Sequence, residues 1–123
     1  MKFINTNKAP KVVGPYSQGI LVNNTLYVSG QLPVDIDTGT PINDIYEATK
    51  KCLEYILAIV NEAGMKKEHI VKCHVYLKDL NDFSIMNKAY EDFFKSHKPA
   101  RVALEVSRLP KDVLVEIDCI ASF

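Results

Sequence analysis

Two side chains near the end of the chain are of the types that can hold a small anion and move a proton. Arg101 opens the run PARVALEVSRLP (99–110), which reads as a strand with a cation at its entrance, and Glu116 lies inside VLVEIDCIA (113–121), which reads as another strand. A guanidinium offers a planar fork that meets a carboxylate with two parallel charge-assisted hydrogen bonds. A carboxylate in a confined site can accept a proton from water. If the two runs form a terminal hairpin through the RLPKD turn, both side chains project near the same end of a sheet. That placement equally suits an ordinary cross-strand ion pair, and residue types alone leave both readings open.

Other chemistries find less support. Cys52, Cys73 and Cys119 are odd in number, lack C-x-x-C spacing and fall in apolar patterns, so they are expected to be buried reduced thiols. His69, His74 and His97 form no H-x-x-x-H pair, which argues against a local metal motif. Fifteen basic side chains balance fifteen acidic ones, which removes the electrostatic footprint of a nucleic-acid-binding protein. No segment has the apolar length of a membrane span. The opening MKFINTNKAPKVVGPY has no apolar core followed by a small-residue cleavage site, so a cytoplasmic address is expected.

Stepping along the chain, the periodicity predicts the elements that must position these groups. Apolar runs over Tyr16–Val22 and Thr25–Leu32 flank Asn23-Asn24, a plausible tight hairpin turn. From Ile42 the period changes: Ile45, Ala48, Thr49, Cys52, Ile56, Ile59, Val60 and Ala63 recur at three- and four-residue steps, with Asp44 or Asn43 as cap and Gly64 as the left-handed stop. HIVKCHVYLK (69–78) alternates, setting Val71, Cys73, Val75 and Leu77 against Lys72, His74, Tyr76 and Lys78. A second helix is predicted after Asn81 or Asp82, with Phe83, Met86, Ala89, Tyr90, Phe93 and Phe94 as a core stripe.

With 123 residues, no repeat and no linker, one domain over 1–123 is expected. Two helices cannot cover both faces of such a sheet, so the predicted class is α+β with both helices on one face. In the last strand Leu114, Glu116, Asp118 and Ile120 share the uncovered side. That mixture is too apolar for a plain solvent face and too charged for a core, and it suits an interface between copies that contains a polar site.

GPYSQG (14–19), YVSGQLPVD (27–35), VKCHVYLKDLNDFSIMNKAYEDFF (71–94), and PAR followed by EVSRLPKDVLVEIDCIA together resemble the RidA/YjgF family of small deaminases, in the right order and across essentially the whole chain. The resemblance implies a chorismate-mutase-like (YjgF-like) α+β domain with a mixed β-sheet, assembled as a homotrimer with active sites in the clefts between subunits. It implies hydrolysis of reactive 2-imino acids, such as 2-iminobutanoate and 2-iminopropanoate, to 2-keto acids and ammonia, with no metal or organic cofactor. By position, Arg101 matches the family's carboxylate-binding arginine and Glu116 the acid that handles the attacking water. Tyr16 matches the tyrosine that closes the site, Ser29, Gly30 and Gln31 its wall, and Asn87 an asparagine near its rim.

Two positions depart from the family pattern. Many relatives carry a cysteine where this chain has Ala103, so a thiol there is not essential to the inferred reaction, and some have Phe where this chain has Lys98, which bears on pocket polarity. The resemblance also brings two alternatives. One is a translation inhibitor acting as an endoribonuclease, which the zero net charge disfavours. The other is a non-catalytic keto-acid-binding or chaperone-like module.

Overall fold

The amphipathic stripe from Ile45 onward forms the central helix of a computed structural model that describes residues 1–123. This helix, α1 (Ile45–Glu62), starts where the Asp44 carboxylate accepts a hydrogen bond from the Glu47 backbone N–H at 2.9 Å. That bond satisfies one of the donors a helix N-terminus leaves free. Past its end, Gly64 takes φ +84°, a backbone angle that a residue with a Cβ resists. The second helix, α2 (Phe83–Phe94), buries Met86, Ala89, Tyr90 and Phe94.

Six strands make one sheet: β1 (Lys2–Ile4), β2 (Gly19–Val22), β3 (Thr25–Gln31), β4 (Ile70–Leu77), β5 (Ala100–Glu105) and β6 (Val115–Ser122). Their order is β1-β2-β3-β6-β4-β5, antiparallel throughout except for the parallel pair β4–β5. Asn23 and Asn24 join β2 to β3 at φ +48° and +65°, the left-handed pair that a two-residue hairpin turn uses. The three-residue β1 was not anticipated, being too short to carry a periodicity.

The expected terminal hairpin does not form. Instead β6 inserts between β3 and β4, while β5 lies at the far edge, parallel to β4. The reason is burial and chain geometry together. Val115, Ile117, Cys119 and Ala121 of β6 are all buried, so this strand belongs inside the sheet, whereas β5 is mostly exposed and tolerates an edge. A parallel partner for β4 requires a crossover, and α2 supplies it.

Rows across the sheet fix which side chains share a face. Ile117–Val75–Ala103 and Cys119–Cys73–Arg101 point to the helices; Glu116–Tyr76–Leu104 and Asp118–His74–Val102 point away from them. A register shift between Ile70 and Lys72 corrects one expected position. Val71 falls at this bulge and is 46% exposed, while Ile70 takes its place in the core.

Ile56 is fully buried on α1 within the single hydrophobic cluster between helices and sheet. Ile56→Ala is expected to cost about 2–5 kcal/mol of stability, read as a lower urea midpoint with an unchanged slope. A loss under about 0.5 kcal/mol, typical of surface substitutions, would contradict this packing.

Candidate active site

Arg101 stands opposite Cys73, which stands opposite Cys119, and both thiols are buried. The arginine therefore leaves the edge strand on the helix-covered side and runs beneath α2. Its guanidinium carbon lies 4.8 Å from the Tyr90 ring centroid and 5.5 Å from that of Phe83. Its Nη1 donates to Asn87 Oδ1 at 2.8 Å. Ring faces attract a cation, and the amide is neutral. None of the four ion pairs in the chain involves Arg101. A cavity of about 350 Å³ opens over it, lined also by Lys95, Lys98 and Glu91, so cations outnumber the one acid in its wall.

Glu116 is built into the opposite face. On β3 the register jumps between Val28 and Gln31, a bulge at Ser29–Gly30. The Glu116 carboxyl occupies the space this bulge leaves: a Cβ placed on Gly30 would overlap Oε2 and sit 2.9 Å from Cδ. Gly30 is glycine because the acid approaches its backbone so closely. Burial, and behind it the charge of Asp118, push the Glu116 carboxyl up from its ordinary value.

Around this bulge the chain braces itself. Ser29 uses its hydroxyl on the Ser17 carbonyl and its N–H on the Gln18 carbonyl (2.9 Å), tying the preceding loop to β3. Buried Gln31 donates to the Ser29 carbonyl at 3.1 Å, and its own carbonyl accepts from Cys52 Sγ at 3.3 Å. The polar groups of Ser29 and Gln31 thus bond to protein and hold the bulge. Tyr16, at 52% exposure, shares a shallow depression of about 90 Å³ with Gly30 and Gln31.

Sequence reasoning did not single out Gln18. It is buried, accepts from the Thr6 N–H at 2.7 Å and donates to the Pro10 carbonyl at 3.0 Å, which anchors the loop that carries Tyr16. A polar residue inside GPYSQG, beside a strand start, was the available signal.

The structure thus makes two groups of the expected residues: Arg101 with Asn87, and Glu116 with Gly30, near Tyr16 and Gln31. It does not bring the two together within one chain. Cys73 and Tyr76, their respective neighbours on β4, are three residues apart and so face opposite ways. This corrects the expectation that Arg101 and Glu116 project near the same end of the sheet, which rested on the hairpin, and equally rules out a cross-strand ion pair between them.

Gly30→Ala is expected to displace the Glu116 carboxyl, at about 1–3 kcal/mol in stability. The carboxyl's titration, followed by carbon NMR, should fall back toward the ordinary glutamate value as solvent reaches it. An unmoved titration would show that the close approach does not hold the acid in place.

The family described as Endoribonuclease L-PSP matches residues 6–123. A RutC family protein of Pyrococcus abyssi is 56% identical over 119 residues, covering 96% of this chain and 94% of its own. A Salmonella typhimurium protein named 2-iminobutanoate/2-iminopropanoate deaminase is 47% identical over 123 residues, covering 98% and 96%. Among solved structures, Escherichia coli TdcF with bound serine superposes with a TM-score of 0.96 at 40% identity, covering 100% of this chain and 99% of that one. On these matches, the chain belongs to the Endoribonuclease L-PSP family, which is the RidA/YjgF family.

Proposed function

We propose that this chain is a hydrolytic deaminase that converts 2-imino acids to 2-keto acids and ammonia, in clefts between the copies of a cytoplasmic homotrimer. The observation that carries this reading is the division of labour between faces. A cation fixed by neutral partners lies on one side, a half-buried acid confined against Gly30 lies on the other, and neither meets the other in its own chain. A neighbouring copy that brings its edge strand to the Ser29–Gly30 bulge would complete a site from one Arg101 and one Glu116. The uncovered face supports such packing, since Phe3, Tyr27, Val102 and Leu104 all stand exposed on it in the single chain.

The chemistry follows from these groups. Arg101, oriented by Asn87, holds the substrate carboxylate through its free donors, which sets the imine carbon against a water. With the imine nitrogen protonated, Glu116 takes one proton from that water as its oxygen bonds to the carbon, and passes it to the amine nitrogen. It then takes the remaining hydroxyl proton as the carbonyl forms and the carbon–nitrogen bond breaks, and hands it to the departing ammonia. Ammonia leaves with the proton; the keto acid remains on the arginine. Tyr16 closes over the reacting centre beside Gly30, and the braced Ser29–Gln31 segment forms its wall.

The 2-iminobutanoate and 2-iminopropanoate named for the relative are the first substrates to test. With either imine generated in the assay, Arg101→Ala is expected to lower kcat/KM by about a hundredfold or more, chiefly through KM. Glu116→Gln should lower kcat by about a hundredfold or more while keto acids still bind. Equal mixing of the two inactive variants after dissociation should restore roughly one quarter of the wild-type rate, since in a ring of three a quarter of random junctions pair an intact Arg101 with an intact Glu116. Failure of the mixture to recover any rate would overturn the shared site. RNA left intact by wild type at low salt would dispose of the ribonuclease reading.

A further inference from the structure

Glu116 shares its face with a second acid whose surroundings are quite different. Asp118 follows two residues later on β6 and therefore points the same way. His74 Nδ1–H donates to Asp118 Oδ1 at 2.6 Å, and the Tyr76 hydroxyl donates to Asp118 Oδ2 at 3.0 Å. The two rings stack with centroids 6.5 Å apart and 15° between planes. Both oxygens of Asp118 are thus fixed by side chains of β4. Tyr76 stands directly opposite Glu116 in the register, yet reaches diagonally past it to Asp118.

The charged and titratable groups facing this pair are few. From β4 come Lys72, His74 and Tyr76, with Lys78 at the strand end held by Asp112 at 3.0 Å. From β3 comes Tyr27, opposite Ile120; β5 adds the apolar Val102 and Leu104. His74 is the one group bonded to Asp118 that can carry a positive charge.

We propose that Asp118 is a positioning residue for Glu116: held by His74 and Tyr76 two residues further along the same face, it keeps a fixed negative charge beside the Glu116 carboxyl, and a positive charge on His74 offsets it. The inference rests on the proposed function in naming Glu116 as the proton-handling group. The physics is Coulombic. With His74 neutral, the full negative charge of Asp118 opposes ionisation of Glu116; with His74 cationic, the pair is neutral overall and Glu116 ionises more readily. Burial raises the Glu116 carboxyl first and Asp118 adds to it. Tyr76 shows the reciprocal effect, its phenol pushed up to about 12 by burial and then by its bond to Asp118.

The test is to follow the Glu116 carboxyl by carbon NMR across pH, assigned by its loss in Glu116→Gln, alongside the pH profile of imine hydrolysis. Asp118→Asn, which removes the charge and keeps the shape, should move the Glu116 midpoint down. His74→Phe, which keeps the ring and removes the cation, should move it up. The double variant should lie between the two single variants, because it removes the opposing charges of Asp118 and His74 together. A merely structural role would move both single variants the same way or neither, and either result overturns the inference. Should His74→Phe fail to fold, His74→Gln leaves a neutral donor on Asp118 and reads the same upward shift. If the carboxyl midpoints move as stated but the acid limb of the rate profile stays put, the inference stands and the catalytic role of Glu116 falls.

Discussion

The constraint on which the site depends is the two-residue alternation of β-strands, applied to a sheet with helices on one face. Once β4 lies between β5 and β6, the rows are fixed: Arg101 goes with Cys73 to the helix side and Glu116 goes with Tyr76 to the open side. No side-chain rotamer reverses that assignment. A one-residue slip of β5 would send Arg101 to the open face, at the cost of bringing Val102 beneath the rings of α2. The register is therefore what makes the proposed site divisible between copies, and each copy must offer both of its faces.

Much of this was legible in the sequence wherever the signal was local. The structure decides for Asp44 over Asn43 as the cap of α1, and the α1 stripe and the Gly64 stop, which follow from contacts within a few residues, appear in it. So does the Asn23-Asn24 turn, and so does the alternation of β6, whose buried and half-buried residues fall as predicted. Strand order was not legible. Period-two patterns identify a strand and its faces without naming its neighbour, and the short path from Ser107 to Leu114 made a hairpin the economical guess. The burial of β6 on the core side was the contrary sign, since a strand so thoroughly covered is poorly suited to pairing along one edge alone. Val71 was misplaced for a related reason: a bulge shifts the phase of alternation, and nothing in HIVKCHV marks one.

For the site, residue types were readable and their grouping was not. Gly30 was expected as wall; the structure gives it a sharper reason, since its missing side chain is the space that the Glu116 carboxyl fills. The bulge that creates this contact also turns Gln31 inward, where its amide stabilises the distorted backbone. His74, Tyr76 and Asp118 were seen as members of alternating faces, but their convergence depends on β4 and β6 being neighbours. An incorrect strand order hides such a cluster even when every face is assigned correctly.

Arg101 illustrates why neutral company matters if a cation is to receive an anion, as the proposed reaction requires. Were a carboxylate beside it in place of Asn87, an arriving substrate would have to break a charge-assisted pair before making its own, and the exchange would return little net free energy. Asn87 instead takes one donor and orients the fork, while Tyr90 and Phe83 lie close enough for their ring faces to support the charge without competing for its N–H groups. The remaining donors lack an anionic partner within the chain. A guanidinium so held is already ordered and partly desolvated, so part of the cost of binding a carboxylate is met when the protein folds. The acid across the sheet is prepared by the complementary device, confinement against Gly30 with a second negative charge nearby, which makes it more willing to hold a proton. In the proposed reaction one half binds charge and the other moves a proton, and their separation within the chain lets each be prepared without neutralising the other.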